Sequence, residues 1–317
     1  MKIVVLDGSA MNPGDLSWEG LKQLGECQVY DRTLPAELFD RIKDADMIIT
    51  NKAVVNEQII DRLPNLHYIG VTATGYNVVD VQAASRKGIV VTNIPAYSTD
   101  SVAQLVFSHI LNIVNRVELH ATSVKSGEWT KSPDFAYWKS PQTELAGKTL
   151  GIVGFGRIGR KVAQIGSAFG MKVVFHNRSQ VTDAPVEMCQ FILEDVFAES
   201  DVLSINCPLS AENSGFVNQK LLQRMKQSAI LINTGRGGLI NEMDLATALN
   251  GGIIAAAGLD VLSTEPPKQD NPLVSAKNCF ITPHIAWATL EARQRLMNIT
   301  VENLQCFISG NPQNVVN

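Results

Sequence analysis

The sequence has no long apolar run. No stretch approaches the ~20 consecutive apolar residues that span a bilayer. The opening Met1-Lys2-Ile3-Val4-Val5-Leu6-Asp7-Gly8 turns polar too soon for the apolar region of a secretory signal. Cysteine is scarce: Cys27, Cys189, Cys207, Cys279 and Cys306 are far apart, odd in number and without a CxxC pair. That pattern excludes a disulfide scaffold and offers no zinc-ligand spacing, so no metal site is expected. Basic runs are also missing. With 27 Lys plus Arg against 31 Asp plus Glu, the net charge is −4, which leaves no footprint for nucleic acid or an anionic membrane. Low-complexity segments and repeats with a period of ~20–50 residues are absent. A reducing, cytoplasmic setting is the expectation that remains.

What the chain does have is globular material: 317 residues, 45% hydrophobic and 18% charged. At ~100–200 residues per domain, the length predicts two domains, each able to bury a core without staples. Short β-branched runs recur. The early ones are Ile3–Leu6, Met47–Thr50, Tyr68–Val71 and Ile89–Thr92, with helix-like Asp15–Leu24 and Asn56–Leu63 between them. Apolar strands alternating with helices are the pattern of a parallel sheet covered on both faces. A second series runs Leu150–Val153, Lys172–Phe175, Val202–Asn206, Ile230–Asn233, Ala256–Leu259 and Phe280–Thr282. Six strands in this rhythm fit a dinucleotide-binding fold. The fold class is therefore α/β, with two doubly wound parallel-sheet domains of Rossmann or flavodoxin-like type. Ser101–Ser126, free of Pro and Gly, predicts one long amphipathic helix with Thr99 or Asp100 as its N-cap. Thr289–Ile308 is also helical in pattern.

Gly154-Phe155-Gly156-Arg157-Ile158-Gly159 is a GxGxxG motif, placed directly after the strand Leu150–Val153 and before the helix-like Arg160–Phe169. Gly154 permits the tight turn, Gly156 lets the backbone approach a pyrophosphate, and Gly159 lets the helix pack close to the strand. The helix N-terminus then offers N–H groups and positive dipole to the anion. At the end of the next strand stands His176-Asn177-Arg178-Ser179. An NAD site usually places Asp or Glu there to hold the ribose 2′-OH, but here Asn177 stands in its place. Arg178 and Ser179 can receive a 2′-phosphate. The cofactor expectation is NADP or NAD, with NADP favoured.

Three ionisable residues follow strands of the second series: Arg236 after Ile230–Asn233, Glu265 after Ala256–Leu259, and His284 after Phe280–Thr282. Ligands of open parallel sheets bind outside the carboxyl ends of the strands, so the three can converge although distant in sequence. Arg presents a planar fork to a carboxylate. His exchanges a proton near neutrality, and Glu orients the imidazole. Hydride from a nicotinamide plus a proton from His reduces a ketone. Arg beside that ketone implies a 2-oxo acid.

Ala73-Thr74-Gly75-Tyr76-Asn77, Thr99-Asp100-Ser101-Val102-Ala103, Leu145-Ala146-Gly147-Lys148-Thr149-Leu150-Gly151, Asn206-Cys207-Pro208-Leu209, Asn233-Thr234-Gly235-Arg236-Gly237, Asp260-Val261 and Pro283-His284 complete the pattern. Carried by these motifs over essentially its full length, the sequence resembles the D-isomer-specific 2-hydroxyacid dehydrogenases, most closely their glycerate dehydrogenase/hydroxypyruvate reductase branch. The resemblance implies that Arg236 holds the substrate carboxylate, that His284 is the acid/base, and that Glu265 pairs with it. It places backbone N–H groups of Thr74 and Gly75 on the carboxylate. Thr99, Arg157, Ile158, Cys207, Thr234 and Asp260 match cofactor-contacting positions, with Asp260 at the nicotinamide carboxamide. It also implies a homodimer joined through the nucleotide-binding domains, with Ser101–Ser126 in the interface and Trp138 near the partner's active site. Gln104 and Asn206 depart from the Glu and His that many members carry.

The resemblance assigns 99–285 to the dinucleotide-binding domain and joins 1–98 with 286–317 as the substrate-binding domain, with a cleft between the two. The expected activity is NAD(P)-dependent reduction of hydroxypyruvate or glyoxylate to the D-2-hydroxy acid. The alternatives are an aryl or branched 2-hydroxy acid substrate, or a nucleotide-sensing binding protein of the corepressor type.

Overall fold

The apolar β-branched runs form two all-parallel sheets in the computed structural model, which describes residues 1–317. The chain divides into two units, Met1–Ser98 with Ala288–Asn317, and Thr99–Trp287. In the first unit the strands are β1 (Lys2–Val5), β2 (Glu26–Val29), β3 (Met47–Thr50), β4 (Tyr68–Val71) and β5 (Val90–Thr92), in the order β2-β1-β3-β4-β5. Every residue of β3 and β4 is buried, as a sheet covered on both faces requires. The edge strand β2 escaped the sequence reading because its residues are only half-buried or exposed, so it carries no apolar run.

In the second unit the strands are β6 (Thr149–Val153), β7 (Lys172–His176), β8 (Cys189–Gln190), β9 (Val202–Ile205), β10 (Ile230–Asn233), β11 (Ala256–Leu259) and β12 (Cys279–Ile281). Their order is β12-β11-β10-β9-β6-β7-β8. The chain leaves β6 in one direction and returns to β9 on its other side, so the switch point lies between β6 and β9. The seventh strand, β8, is two residues long and pairs only with β7.

Two helices differ from expectation. The single helix predicted over Ser101–Ser126 is two, Thr99–Asn115 and Val117–Lys125. The break is Arg116, in a left-handed conformation at φ 48°. Its guanidinium lies 4.7 Å from the centroid of the Phe280 ring and donates to Asn278 Oδ1 at 3.3 Å. These contacts offset the conformational cost of a left-handed non-glycine residue. Thr99 and Asp100 lie within the first turn of that helix, not ahead of it. The helix predicted from Asp15 starts only at Glu19. Asn12 Oδ1 accepts from the N–H groups of Gly14 and Leu16, a local turn that competes with helix.

Asp15 pairs with Arg293 through both carboxylate oxygens, at 2.6 and 2.7 Å. Arg293 lies on the helix Leu290–Ile308, capped by Thr289 Oγ1 accepting from the Ala292 N–H. The side-chain hydrogen bond from Arg293 holds the Asp15 carboxyl below the usual carboxylate range. That helix packs Phe307 on Tyr68, with ring centroids 4.9 Å apart. The last residues then run along β5. Val316 N–H donates to Val91 O, and the Asn317 side chain accepts from Val91 N–H and donates to Ile89 O. The return to the first unit comes at Ala288, where the resemblance places it at 286. Ile285 and Ala286 stay with the second unit because both donate N–H bonds to Asp260. No helix is long and apolar enough to cross a membrane.

Gly151, in the middle of β6, is required by a close approach: a Cβ there would lie 1.8 Å from Ser200 Oγ, which is itself bonded to Val196 O. Gly151→Ala should therefore destabilise the protein by about 1–3 kcal/mol, read as a lower midpoint in thermal unfolding. Adding Ser200→Ala should restore part of the loss, and a double variant no better than Gly151→Ala alone would show the clash to be elsewhere.

Candidate active site

The glycine turn is built by contact. Gly154 has φ 94°, and a Cβ on it would lie 2.6 Å from the Cys207 backbone nitrogen, so the loops after β6 and β9 are pressed together at the switch point. A Cβ on Gly159 would lie 2.2 Å from Gly154 O, so the helix Arg157–Ala168 packs directly on the turn. Gly156 is different: nothing lies within 4 Å of its Cβ position, and no side chain caps the helix that it precedes. The first helical N–H groups thus have no side-chain acceptor, as an anion site requires.

Asn177 and Ser179 bond to each other. Asn177 Oδ1 accepts from the Phe155 N–H at 3.3 Å, and Asn177 Nδ2 donates to Ser179 O and Oγ at 3.1 and 3.2 Å. Gln190, on β8, reinforces the loop by donating to Asn177 O and Ser179 O. Sequence reasoning missed Gln190 because the strand that presents it is too short to see. Arg178 is exposed.

Of the rest of the predicted cofactor set, Cys207, Thr234 and Asp260 follow the carboxyl ends of β9, β10 and β11, while Arg157 and Ile158 open the helix after the glycine turn. Burial pushes the Cys207 thiol up to about 11, so it is neutral. Thr234 is buried and its Oγ1 has no hydrogen-bond partner. A buried hydroxyl left unpaired is costly, so this position fits a polar group of a bound dinucleotide. Together with the open, uncapped helix N-terminus, the residues present fit such a cofactor. Thr99 opens the helix Thr99–Asn115 of the same unit.

The loop after β10 is folded by Asn233, whose Oδ1 accepts from Gly235 N–H and whose Nδ2 donates to Arg236 O, at 3.0 Å each. Arg236 is exposed, and its Nη1 donates to Gly235 O. Gly237 sets that loop against the next one, because a Cβ on it would lie 1.9 Å from Leu262 C. The Leu262 loop carries Glu265, whose Oε1 accepts from Leu262 N–H at 3.1 Å. Glu242, which the sequence did not single out, pins this loop by accepting from Ser263 N–H and Asn271 Nδ2. Glu265 Oε2 meets His284 Nδ1 at 2.6 Å. The pair leaves His284 Nε2 open for a substrate oxygen.

His284 has φ 55°, uncommon for a non-glycine residue. Its N–H donates to Asp260 O at 2.9 Å. The Asp260 carboxylate, 1% exposed, accepts from the Thr282 hydroxyl at 2.6 Å and from Ile285 and Ala286 N–H at 2.9 and 2.7 Å. Asp260 therefore has a structural task besides the cofactor contact that the resemblance implies. Arg236, Glu265 and His284 all belong to the second unit. Thr74 and Gly75 belong to the first, on the loop after β4, where Thr74 Oγ1 donates to Ile94 O and Thr74 O accepts from Asn93 Nδ2.

Residues 107–286 match the family model for the D-isomer specific 2-hydroxyacid dehydrogenase, NAD binding domain. The chain is 50% identical over 321 aligned residues to a hydroxypyruvate reductase of Blautia hydrogenotrophica, covering 100% of both chains. It is 38% identical to a glycerate dehydrogenase of Methylorubrum extorquens, covering 99% of this chain and 98% of that one. Among solved structures it resembles an acyclic imino acid reductase in complex with NADPH and D-Arg, with a TM-score of 0.86 and 30% identity over 100% of both chains.

The open space above Gly156 makes a specific test. Gly156→Ala should leave the unfolding temperature unchanged, since the added methyl meets nothing. It should weaken dinucleotide binding about tenfold, a change of ~1.4 kcal/mol, measured by calorimetry or cofactor fluorescence. Unchanged affinity would remove Gly156 from the phosphate site.

Proposed function

The chain belongs to the D-isomer-specific 2-hydroxyacid dehydrogenase family, and on that basis we propose that it reduces hydroxypyruvate to D-glycerate, or glyoxylate to glycolate, with a nicotinamide cofactor. The observation that carries this is the 2.6 Å contact between Glu265 Oε2 and His284 Nδ1, which engages one ring nitrogen and leaves Nε2 to serve a substrate oxygen. A bound reduced nicotinamide supplies the hydride. Arg236 pairs its guanidinium with the substrate carboxylate. His284 gives its Nε2 proton to the carbonyl oxygen, so that hydride and proton together convert the carbonyl to an alcohol. Glu265 fixes the ring and compensates its positive charge. Thr74 and Gly75 offer backbone N–H groups to the carboxylate. Such residues act by positioning and by charge already in place.

The same proposal gives the cofactor site to Thr99, Gly154, Gly156, Arg157, Ile158, Gly159, Asn177, Arg178, Ser179, Cys207, Thr234 and Asp260, and it favours NADP. Asn177 is neutral where a carboxylate would repel a 2′-phosphate, and Arg178 is exposed beside it. The proposed assembly is a homodimer. Val117, Trp129, Phe135 and Trp138 support it, since all four are large apolar side chains exposed on one stretch of the second unit. A monomer in light scattering would sink the dimer. The reading also takes the five free cysteines as thiols in a reducing cytoplasm.

One absorbance assay at the reduced-nicotinamide band tests substrate and cofactor together. Turnover of hydroxypyruvate or glyoxylate is expected, with a higher kcat/KM for NADPH than for NADH. Equal or better use of NADH would overturn the NADP preference. His284→Ala should lower kcat by roughly 10²–10⁴-fold, whereas Arg236→Ala should chiefly weaken the use of the 2-oxo acid. Full kcat in His284→Ala would contradict the assignment of the proton donor.

A further inference from the structure

One ionisable group of the second unit has no part in the chemistry above. His109 lies on the buried face of the helix Thr99–Asn115, beside apolar Val102, Val106 and Ile110, and is 4% exposed. A histidine at such a place is costly unless it is hydrogen-bonded. Its Nε2 meets Thr282 Oγ1 at 3.1 Å. The sheet makes room for this contact: Gly258, on β11, would place a Cβ 2.7 Å from His109 Cβ and 2.9 Å from its Cγ. Any larger residue there would push the imidazole away from Thr282.

The direction of each bond follows from the chemistry of the groups. An ionised carboxylate only accepts, so the Thr282 hydroxyl donates to Asp260 Oδ1 at 2.6 Å. That hydroxyl has one proton, so towards His109 its oxygen accepts and the His109 ring proton sits on Nε2. Burial pushes the imidazole below its ordinary pKa, and the nearby Asp260 carboxylate opposes this only in part. A neutral ring with its proton on Nε2 is the form that the network requires. From Asp260 the chain of bonds continues to the N–H groups of Ile285 and Ala286, while the Asp260 carbonyl accepts from His284 N–H. Ser101 Oγ, on the same helix as His109, donates to Ala286 O at 2.5 Å. One helix thus holds the 282–286 loop at both ends.

We propose that His109 is a positioning residue for His284, acting through Thr282 and Asp260 to hold the loop in which His284 keeps its left-handed backbone and its bond to Glu265. This rests on the reading of His284 as the proton donor. A hydrogen bond of this kind sets the aim of the imidazole and makes no contact with the 2-oxo acid, so its loss falls on kcat more than on the KM for the 2-oxo acid.

The test uses the full chain with hydroxypyruvate and NADPH. His109→Leu and Thr282→Val remove the bond at either end. His109→Gln keeps a donor near the position of Nε2, and Thr282→Ser keeps the hydroxyl. The first two should lose about tenfold in kcat with the KM for hydroxypyruvate held within ~2-fold, and the second two should recover most of the loss. A folded His109→Leu protein with full kcat would overturn the proposal. So would a Gln variant no better than the Leu variant. If His109→Leu does not fold, the Thr282 pair decides by the same criterion. Long-range proton–nitrogen spectra of histidine-labelled protein give a readout free of turnover. They should show His109 neutral with its proton on Nε2 at neutral pH, and the His284 ring signals should shift in Thr282→Val but not in Thr282→Ser. A His109 proton on Nδ1 would break the network as drawn. If the wild-type chain reduces no 2-oxo acid, the reaction assignment fails, while the spectra still decide whether His109 and His284 are coupled.

Discussion

The Asp260 carboxylate is the point to which the chemistry of the second unit is tied. A buried carboxylate stands only if its oxygens are satisfied, and Asp260 accepts from the Thr282 hydroxyl and from the Ile285 and Ala286 N–H groups. Its own peptide joins two further pieces: its N–H donates to Asn233 O, and its carbonyl accepts from His284 N–H. The ends of β10, β11 and β12 are therefore held at one residue. The left-handed backbone of His284 is strained by itself, and it persists because the residues on either side of it are bonded to the same acid.

Around that point the parallel topology does the gathering. Arg236, Glu265 and His284 come from the loops after β10, β11 and β12, three neighbouring strands whose carboxyl ends point the same way. The glycine turn and Cys207 follow β6 and β9, the two strands that flank the switch point. Close approaches at glycine then fix the distances between loops: Gly154 against Cys207, Gly159 against the turn, Gly237 against Leu262. Each is a place where a Cβ would force two loops apart, so the site depends on residues that take no part in catalysis.

Ten of the twelve strands, the glycine turn and the position of three ionisable residues after strands were legible because each leaves a local mark: an apolar run, a spacing, or a chemical type after a strand. What was not legible is held by contacts distant in sequence. β2 and β8 are edge strands with exposed residues, so neither shows a run. The break at Arg116 depends on Phe280 and Asn278, more than 160 positions away. Asp15 fits the start of a helix by its type, yet its partner Arg293 lies 278 positions on. Glu242, Gln190 and His109 hold loops from behind, and nothing near them in the sequence marks that task. The reverse holds for Asp260: its place after a strand was visible, but its hydrogen bonds to the 282–286 loop were not.

The run of the last residues along β5 has a consequence in time. The second unit is one continuous stretch, Thr99–Trp287, so all of its contacts are available once that stretch has been made. The first unit begins earlier in the chain but closes with Asn317, whose side chain bonds to Ile89 and Val91. Until those final residues arrive, the edge of β5 presents unpaired backbone groups, the feature through which sheets join to one another wrongly. Synthesis from the N-terminus therefore completes the unit that starts second before the one that starts first. Through that interval the first unit waits with an open edge although the second is complete.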